Sequence, residues 1–272
     1  VWVTLAVAFG AIVFFWKGPH AGAQYFAGYL IEYSLSVDNM FVFVLIFTYF
    51  RVPLAYQHQV LFYGILGAMA FRGFFIILGV ALISRFEWII YIFGAFLIFT
   101  AFRFAFGKDE MHPEQNRILK WAQKRLRTTA NYHGQHLFAM EAGKRVATPL
   151  FVVLLFIEFT DIVFAVDSIP AIFAITRDPF IVLTSNVFAI LGLRALYFLL
   201  ADIMDKFHLL KYGLAIILGF VGTKMLLEAA HVEVPIFASL AVIVGVLAAT
   251  ILLSIAFPKA AEVPDVPPSR DE

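Results

Sequence analysis

Two stretches of this chain put acids where acids are costly. Glu32-Tyr-Ser-Leu-Ser-Val-Asp38-Asn39 lies in the middle of one long apolar segment, and Asp161-Ile-Val-Phe-Ala-Val-Asp167-Ser168 in the middle of another. Each has an acid, five residues, then an Asp followed by a small polar residue. A carboxylate near a bilayer centre costs ~2.5–3.5 kcal/mol, and with Glu158 added, five unpaired ones would cost ~12–17 kcal/mol together. Such groups are tolerated only where they meet partners, water or a cation. The chemistry expected is cation binding, at one central site built from both segments.

The donor set is carboxylate, amide and hydroxyl oxygen: Glu32, Asp38, Asn39, Glu158, Asp161, Asp167 and Ser168. There is no cysteine, and the seven histidines all fall at segment ends or in loops. Such a set suits Mg²⁺, Ca²⁺ or Mn²⁺ better than Zn²⁺ or Cu⁺. A thioether from Met40 or Met69 would tilt it toward Mn²⁺, although packing is the commoner role of such methionines. His112, His133 and His136 lack close ligand spacing and read as solvated loop residues.

Helical spacing groups Glu32, Ser36 and Asn39 on one stripe, and Glu158, Asp161, Ala165 and Ser168 on another. Asp38 and Asp167 lie roughly 240° round from their partner acids on an unbroken helix. Either they face a neighbouring helix or the segments unwind. Pro170 favours a helix break, because it leaves the carbonyl of Val166 without a donor. Arg72 and Arg194 also sit within apolar segments, where they neutralise the acids or compete with a cation for them. Five acids less two arginines leave three negative charges. A divalent ion leaves one, which a proton could remove. Asn186 reads first as helix–helix glue and second as a ligand.

The elements that position these residues are membrane spans. Hydrophobic residues make up 62% of the chain and charged residues 14%, against about 25% charged in a soluble domain. Mean hydropathy is +0.89. The fold class expected is an all-α polytopic membrane protein with about eight transmembrane helices, over 1–16, 24–50, 60–83, 86–106, 149–175, 180–202, 207–228 and 235–257. Trp2, Trp16 and Trp88 sit near span ends as interfacial anchors. Lys and Arg concentrate in the loop 107–148, at Arg51, Lys206 and Lys211, and in the tail, which makes that loop and the C-terminus cytoplasmic and the turn 176–179 exterior. Residues 115–127 have the spacing of an amphipathic surface helix. The Pro-rich tail 258–272 is expected to be disordered.

The chain also repeats itself. Phe71-Arg72-Gly73 resembles Leu193-Arg194-Ala195, and Phe86, Tyr91, Phe99 and Arg103 match Phe207, Tyr212, Phe220 and Lys224 without gaps. A three-helix unit over 24–106 therefore corresponds to a second over 149–228. Three is odd, so the second unit enters the membrane from the opposite face. This is an inverted 3+3 repeat, an architecture of secondary transporters with substrate at the midplane. The helices 1–16 and 235–257 flank it.

Three runs resemble the TerC/Alx family: Tyr29-Leu-Ile-Glu32 through Asn39, Phe164-Ala-Val-Asp167-Ser-Ile-Pro170-Ala-Ile-Phe-Ala, and Leu183-Thr-Ser-Asn186 through Arg194-Ala-Leu-Tyr-Phe-Leu-Leu. The resemblance covers nearly the whole chain. It implies a multi-pass protein of the bacterial inner membrane, related to cation exporters, with manganese efflux as its activity and tellurium resistance as the origin of the name. It also implies one further span before Val1. The family's acids fall on Glu32, Asp38, Glu158, Asp161 and Asp167.

The leading expectation is a secondary transporter exporting Mn²⁺, with proton exchange compatible with the charge count. Export of Ca²⁺ or another hard cation is one alternative. A membrane scaffold for a tellurite- or stress-resistance complex is the other. No nucleophile–base pair or phosphate loop suggests an enzyme, and nothing suggests nucleic-acid binding.

Overall fold

Prolines punctuate the chain, and helices begin at them. A computed structural model describes residues 1–107, 128–129, 131–141, 143–200 and 209–257, without the side chains of Asp38, Phe41, Arg194, Ala195, Leu196, Phe198, Leu199 and Leu200. In order it gives α1 (Trp2–Lys17), α2 (Pro19–Tyr49), α3 (Leu54–Arg85), α4 (Ile89–Phe106), β1 (Phe138–Glu141), β2 (Lys144–Ala147), α5 (Pro149–Phe173), α6 (Pro179–Leu200), α7 (Leu210–Ala229) and α8 (Ile236–Ala256). Pro19, Pro149 and Pro179 are first residues of helices, while Pro53 and Pro235 immediately precede them. Proline fits there because its missing N–H falls among donors that have no intrahelical acceptor. In a bilayer the remaining backbone groups must be satisfied within the helix.

This is an all-α polytopic membrane protein. The helices α2, α3, α4, α5, α7 and α8 are each long and apolar enough to cross a membrane, judged by length and composition. Trp2–Lys17 and Pro179–Leu193 are shorter apolar helices. The most apolar window of α2 is 75% buried against 22% for α3, so α2 is the central helix and α3 turns most of its surface outward. The largest apolar cluster joins α2 to α5, α7 and α8 through Ile31, Ile46, Phe156, Ile172, Leu218 and Ile243.

Side-chain contacts fix the relative directions of the helices. Gly64, Gly67, Arg72 and Gly79 of α3 meet Ile157, Glu158, Asp161 and Phe173 of α5 in that order, so these two run parallel. Likewise Gly28 meets Ser185 and Tyr33 meets Gly192, which makes α2 and α6 parallel. By contrast α4 and α7 are antiparallel: Tyr91 donates to the Ala229 carbonyl at 3.0 Å, Gly94 faces Gly222, and Ala101 faces Gly219.

One expectation is corrected and one element is added. Pro170 does not break its helix: α5 is continuous from Pro149 to Phe173. The proline removes only the donor to one carbonyl, that of Val166, and a packed membrane helix tolerates this. Pro170 is buried among Ser168, Ile169, Ala171 and Ile172, and its own carbonyl still accepts from the Ala174 N–H at 3.1 Å. The loop 107–148 also holds a strand pair that the sequence reading did not contain. Phe138 pairs with Ala147 and Glu141 with Lys144, and Gly143, just before β2, takes φ 73. Phe138 packs 4.6 Å from the Phe151 ring on α5, and Tyr132 donates to the Phe50 carbonyl at 2.7 Å. The first contact lays the hairpin on the start of α5, and the second ties the loop to the turn between α2 and α3. The expected amphipathic helix 115–127 and the tail 258–272 lie outside the described residues.

Candidate cation site

Where α2, α3 and α5 meet, one arginine holds two carboxylates. Arg72 of α3 donates from Nη2 to Asp161 Oδ1 at 3.1 Å and from Nε to Asp161 Oδ2 at 3.4 Å, and its Nη1 pairs with Glu32 Oε2. All three side chains are buried. A guanidinium suits this place because its planar fork matches a carboxylate with two bonds and keeps a third donor for another. The other oxygen of Glu32, Oε1, is buried and has no hydrogen-bond partner.

Glu158 lies one turn before Asp161 on α5 and on the same stripe. Its carboxylate rests directly on the backbone of Gly67, and Oε2 is buried without a partner. An apolar cleft lined by Phe43, Leu61, Gly64, Ala68, Ile157 and Ile190 has Asp161 in its wall. On α2 the stripe of Glu32 continues to the buried Ser36 and Asn39, and Ser36 Oγ has no partner.

Asp167 faces elsewhere. It lies six residues beyond Asp161, about 9 Å along the continuous helix and roughly 240° round it. Thr100 of α4 donates to Asp167 Oδ1 at 3.2 Å, and Arg103 Nη2 stands 3.9 Å from Oδ2. Arg103 is 57% exposed, so this pair contributes little to stability. Of the two readings open for Asp167, a neighbouring helix and not an unwound segment is the one observed. Ser168, next in the chain, is buried with Oγ unpartnered, and so is Asn186 with its Nδ2. The side chains of Asp38 and Arg194 lie outside the description.

The expected single cluster is therefore divided. Glu32, Asp161 and Arg72 are joined, with Glu158 beside Asp161. Asp167 belongs to a separate contact set on α4. Among the described residues no three carboxylates or imidazoles stand close enough together to hold a metal as folded. Arg72 is the reason at the triad, since it fills the place between Glu32 and Asp161.

Four residues of this region escaped the sequence reading. Thr100 and Gly67 carried no signal beyond their types. Arg103 and Lys224 were matched across the repeat, but a repeat match assigns no partner. Lys224 is buried, donates to the Ala174 carbonyl at 2.8 Å and pairs with Glu228 at 2.9 Å. It thus places a cation at the negative C-terminal end of α5.

A polar latch ties the α5–α6 turn to the start of α2. Lys17 pairs with Asp178 at 2.6 Å, and Thr176 donates to Gln24 Oε1 at 3.1 Å. Partial burial pushes the Asp178 carboxyl up, but hydrogen bonds from Lys17 and the Phe180 N–H, with the Lys17 charge, outweigh it and hold the carboxyl below its usual range.

The model of the integral membrane protein TerC family matches residues 17–262. The chain belongs to the TerC family. It is 51% identical over 256 residues to an uncharacterized membrane protein, STKORF319, of Myxococcus xanthus, covering 94% of this chain and 80% of that one. It is 49% identical over 265 residues to Alx of Escherichia coli (strain K12), named as a proposed membrane-bound redox modulator, covering 93% and 82%. It is 46% identical over 254 residues to the chloroplastic thylakoid membrane protein TERC of Arabidopsis thaliana, covering 93% and 66%. No solved structure matches. These TerC relatives are membrane proteins by name, which agrees with the six long apolar helices.

Proposed function

We propose that this TerC protein is a secondary transporter that exports a divalent hard cation, Mn²⁺ first, with Ca²⁺ as the competing cargo. The observation that carries the reading is the Arg72–Glu32–Asp161 triad flanked by two unpartnered carboxylate oxygens, Glu32 Oε1 and Glu158 Oε2. A buried carboxylate oxygen without a partner costs its desolvation, so a cation bound beside it is favoured. Three carboxylates and one guanidinium carry a net charge of minus two, which a divalent ion balances. Arg72 acts as the internal counter-ion. A cation entering between Glu32 and Asp161 displaces it, and its return favours release. Exchange against protons fits the same carboxylates.

We take the sequence repeat to be an inverted one, an architecture that supports this reading. A two-fold axis in the membrane plane exchanges α2 with α5, α3 with α6 and α4 with α7. Such an axis requires α2 parallel to α6, α3 parallel to α5, and α4 antiparallel to α7, as their contacts run. Cytoplasmic placement of the 107–148 loop in the bacterial inner membrane rests on the Lys and Arg distribution. An impermeant thiol reagent should then label Arg177→Cys, and not Glu141→Cys, from outside intact cells. A redox effect, as in the name of Alx, would arise at one remove from the cytoplasmic level of a redox-active ion, since this chain has no thiol.

The test is uptake into inside-out vesicles with Mn²⁺, Ca²⁺, Mg²⁺ and Zn²⁺ compared. Mn²⁺ should be taken up fastest. Asp161→Asn and Glu158→Gln should each lose uptake when compared at equal membrane abundance. Equal uptake by both variants and the wild type would refute the carboxylate mechanism.

A further inference from the structure

We infer that Gly67 is a positioning residue: its bare backbone forms a notch in α3 that seats the Glu158 carboxylate at the mouth of the cation site. The inference rests on the transport reading for its functional half and on geometry alone for the other.

The geometry is specific. A Cβ built on Gly67 would overlap the carboxyl carbon and both oxygens of Glu158, so with any other residue at position 67 that carboxylate must shift out of the place it now occupies. The space is not forced by close helix packing in general. Three residues earlier, a Cβ at Gly64 would meet only Ile157 Cγ2 at 3.2 Å, and six residues later one at Gly73 would meet nothing within 4 Å. A glycine in a helix interior is unfavourable relative to alanine, and here the gain is room for a carboxylate. Glu158 is held in the notch without a hydrogen bond to Oε2, an arrangement suited to receiving a ligand.

Its position along α5 gives it a task. Glu158 is one turn from Asp161 toward the N-terminus of α5. Gly64 and Ala68, which bracket Gly67 on α3, line the apolar cleft that reaches Asp161. With the loop before α5 on the cytoplasmic side, Glu158 lies one turn to the cytoplasmic side of Asp161 on α5, so a cation moving along this helix toward Arg72 meets it before Asp161. It brings the local charge to minus two, so seating it selects a divalent ion over a monovalent one.

The test uses the full chain with Gly67→Ala, Gly73→Ala and Gly67→Ala combined with Glu158→Asp, which shortens the side chain by one methylene. In vesicles Gly67→Ala should raise the KM for Mn²⁺ at least about tenfold at normal abundance, while Gly73→Ala matches the wild type. The double variant should recover a KM within about threefold of Glu158→Asp alone. A wild-type KM in Gly67→Ala, or no recovery in the double variant, overturns the role. Melting temperature separates this from the transport reading. Gly67→Ala should lower it when residue 158 is Glu and leave it unchanged, or raise it, in a Glu158→Ala background. If vesicles carry no divalent ion, transport is refuted and the notch is judged by that coupling. An equal fall in both backgrounds refutes the notch.

Discussion

Arg72 Nη2 on α3 and Asp161 Oδ1 on α5 meet at 3.1 Å across 89 residues of sequence, while the same guanidinium pairs with Glu32 on α2. One side chain thus ties three helices at a point shielded from water. Removing one partner of a buried pair leaves the other charges uncompensated, at a cost of ~3–5 kcal/mol. Arg72→Gln should lower membrane abundance and the melting temperature of the purified protein. Arg103→Gln, whose side chain is 57% exposed, should change neither by much. A melting temperature for Arg72→Gln equal to the wild type would show that the triad does not hold the helices.

The two acids of α5 sit in separate contact sets, Asp161 with Arg72 and Asp167 with Thr100. Sites without shared partners lose stability additively, within ~0.3–0.5 kcal/mol. Arg72→Gln and Thr100→Val should therefore sum in a denaturant series. A larger coupling would mean that Asp161 and Asp167 belong to one network.

The antiparallel α4–α7 pair depends on small residues. A Cβ at Gly222 would lie 2.9 Å from both the Gly94 carbonyl oxygen and Leu97 Cβ. Backbone cannot give way cheaply, so Gly222→Ala should cost ~1–3 kcal/mol by overpacking. Gly245→Ala on α8, with nothing within 4 Å, should be neutral or slightly stabilising. The paired melting temperatures decide it, and equal values would dismiss the tight crossing.

The Lys17–Asp178 latch predicts an acid limb. Asp178 has a depressed folded value, so its contribution is present above its unfolded value of about 3.9 and is lost as pH falls below that. The wild type should lose more melting temperature than Asp178→Asn between pH 5 and pH 3, and the two should run parallel from pH 5 to pH 8. The gain is small, because a third of each side chain is exposed. Parallel curves throughout would mean that the pair adds nothing.

Much of the site was legible before any coordinates. An acid inside an apolar run is so costly that Glu32, Asp161 and Asp167 had to be buried against something, and they are. The stripe from Glu32 to Asn39 follows from 3.6 residues per turn, and both ends are buried. Pro170 misled, because a proline reports one lost donor and not whether neighbours make the loss tolerable. The hairpin 138–147 was missed because its strands are four residues each and alternate weakly. Phe138 of its first strand packs on the Phe151 ring of α5, a contact between residues 13 apart that strand alternation does not signal.

By itself, then, the sequence determined the solvent, the helices and the chemical type of the site. Hydropathy sets the membrane environment, prolines set the starts of five helices, and the absence of cysteine removes thiolate from the donor set. Pairing was decided only by tertiary structure. Arg72 reaches Asp161 and Glu32, and Thr100 and Arg103 take Asp167. The Glu158 carboxylate needs the backbone of Gly67. Sequence periodicity gives the direction of a side chain around its own helix axis. It does not give the azimuth of the next helix, which is fixed by the close approaches at Gly79, Gly94 and Gly222 and by which neighbour each helix finds.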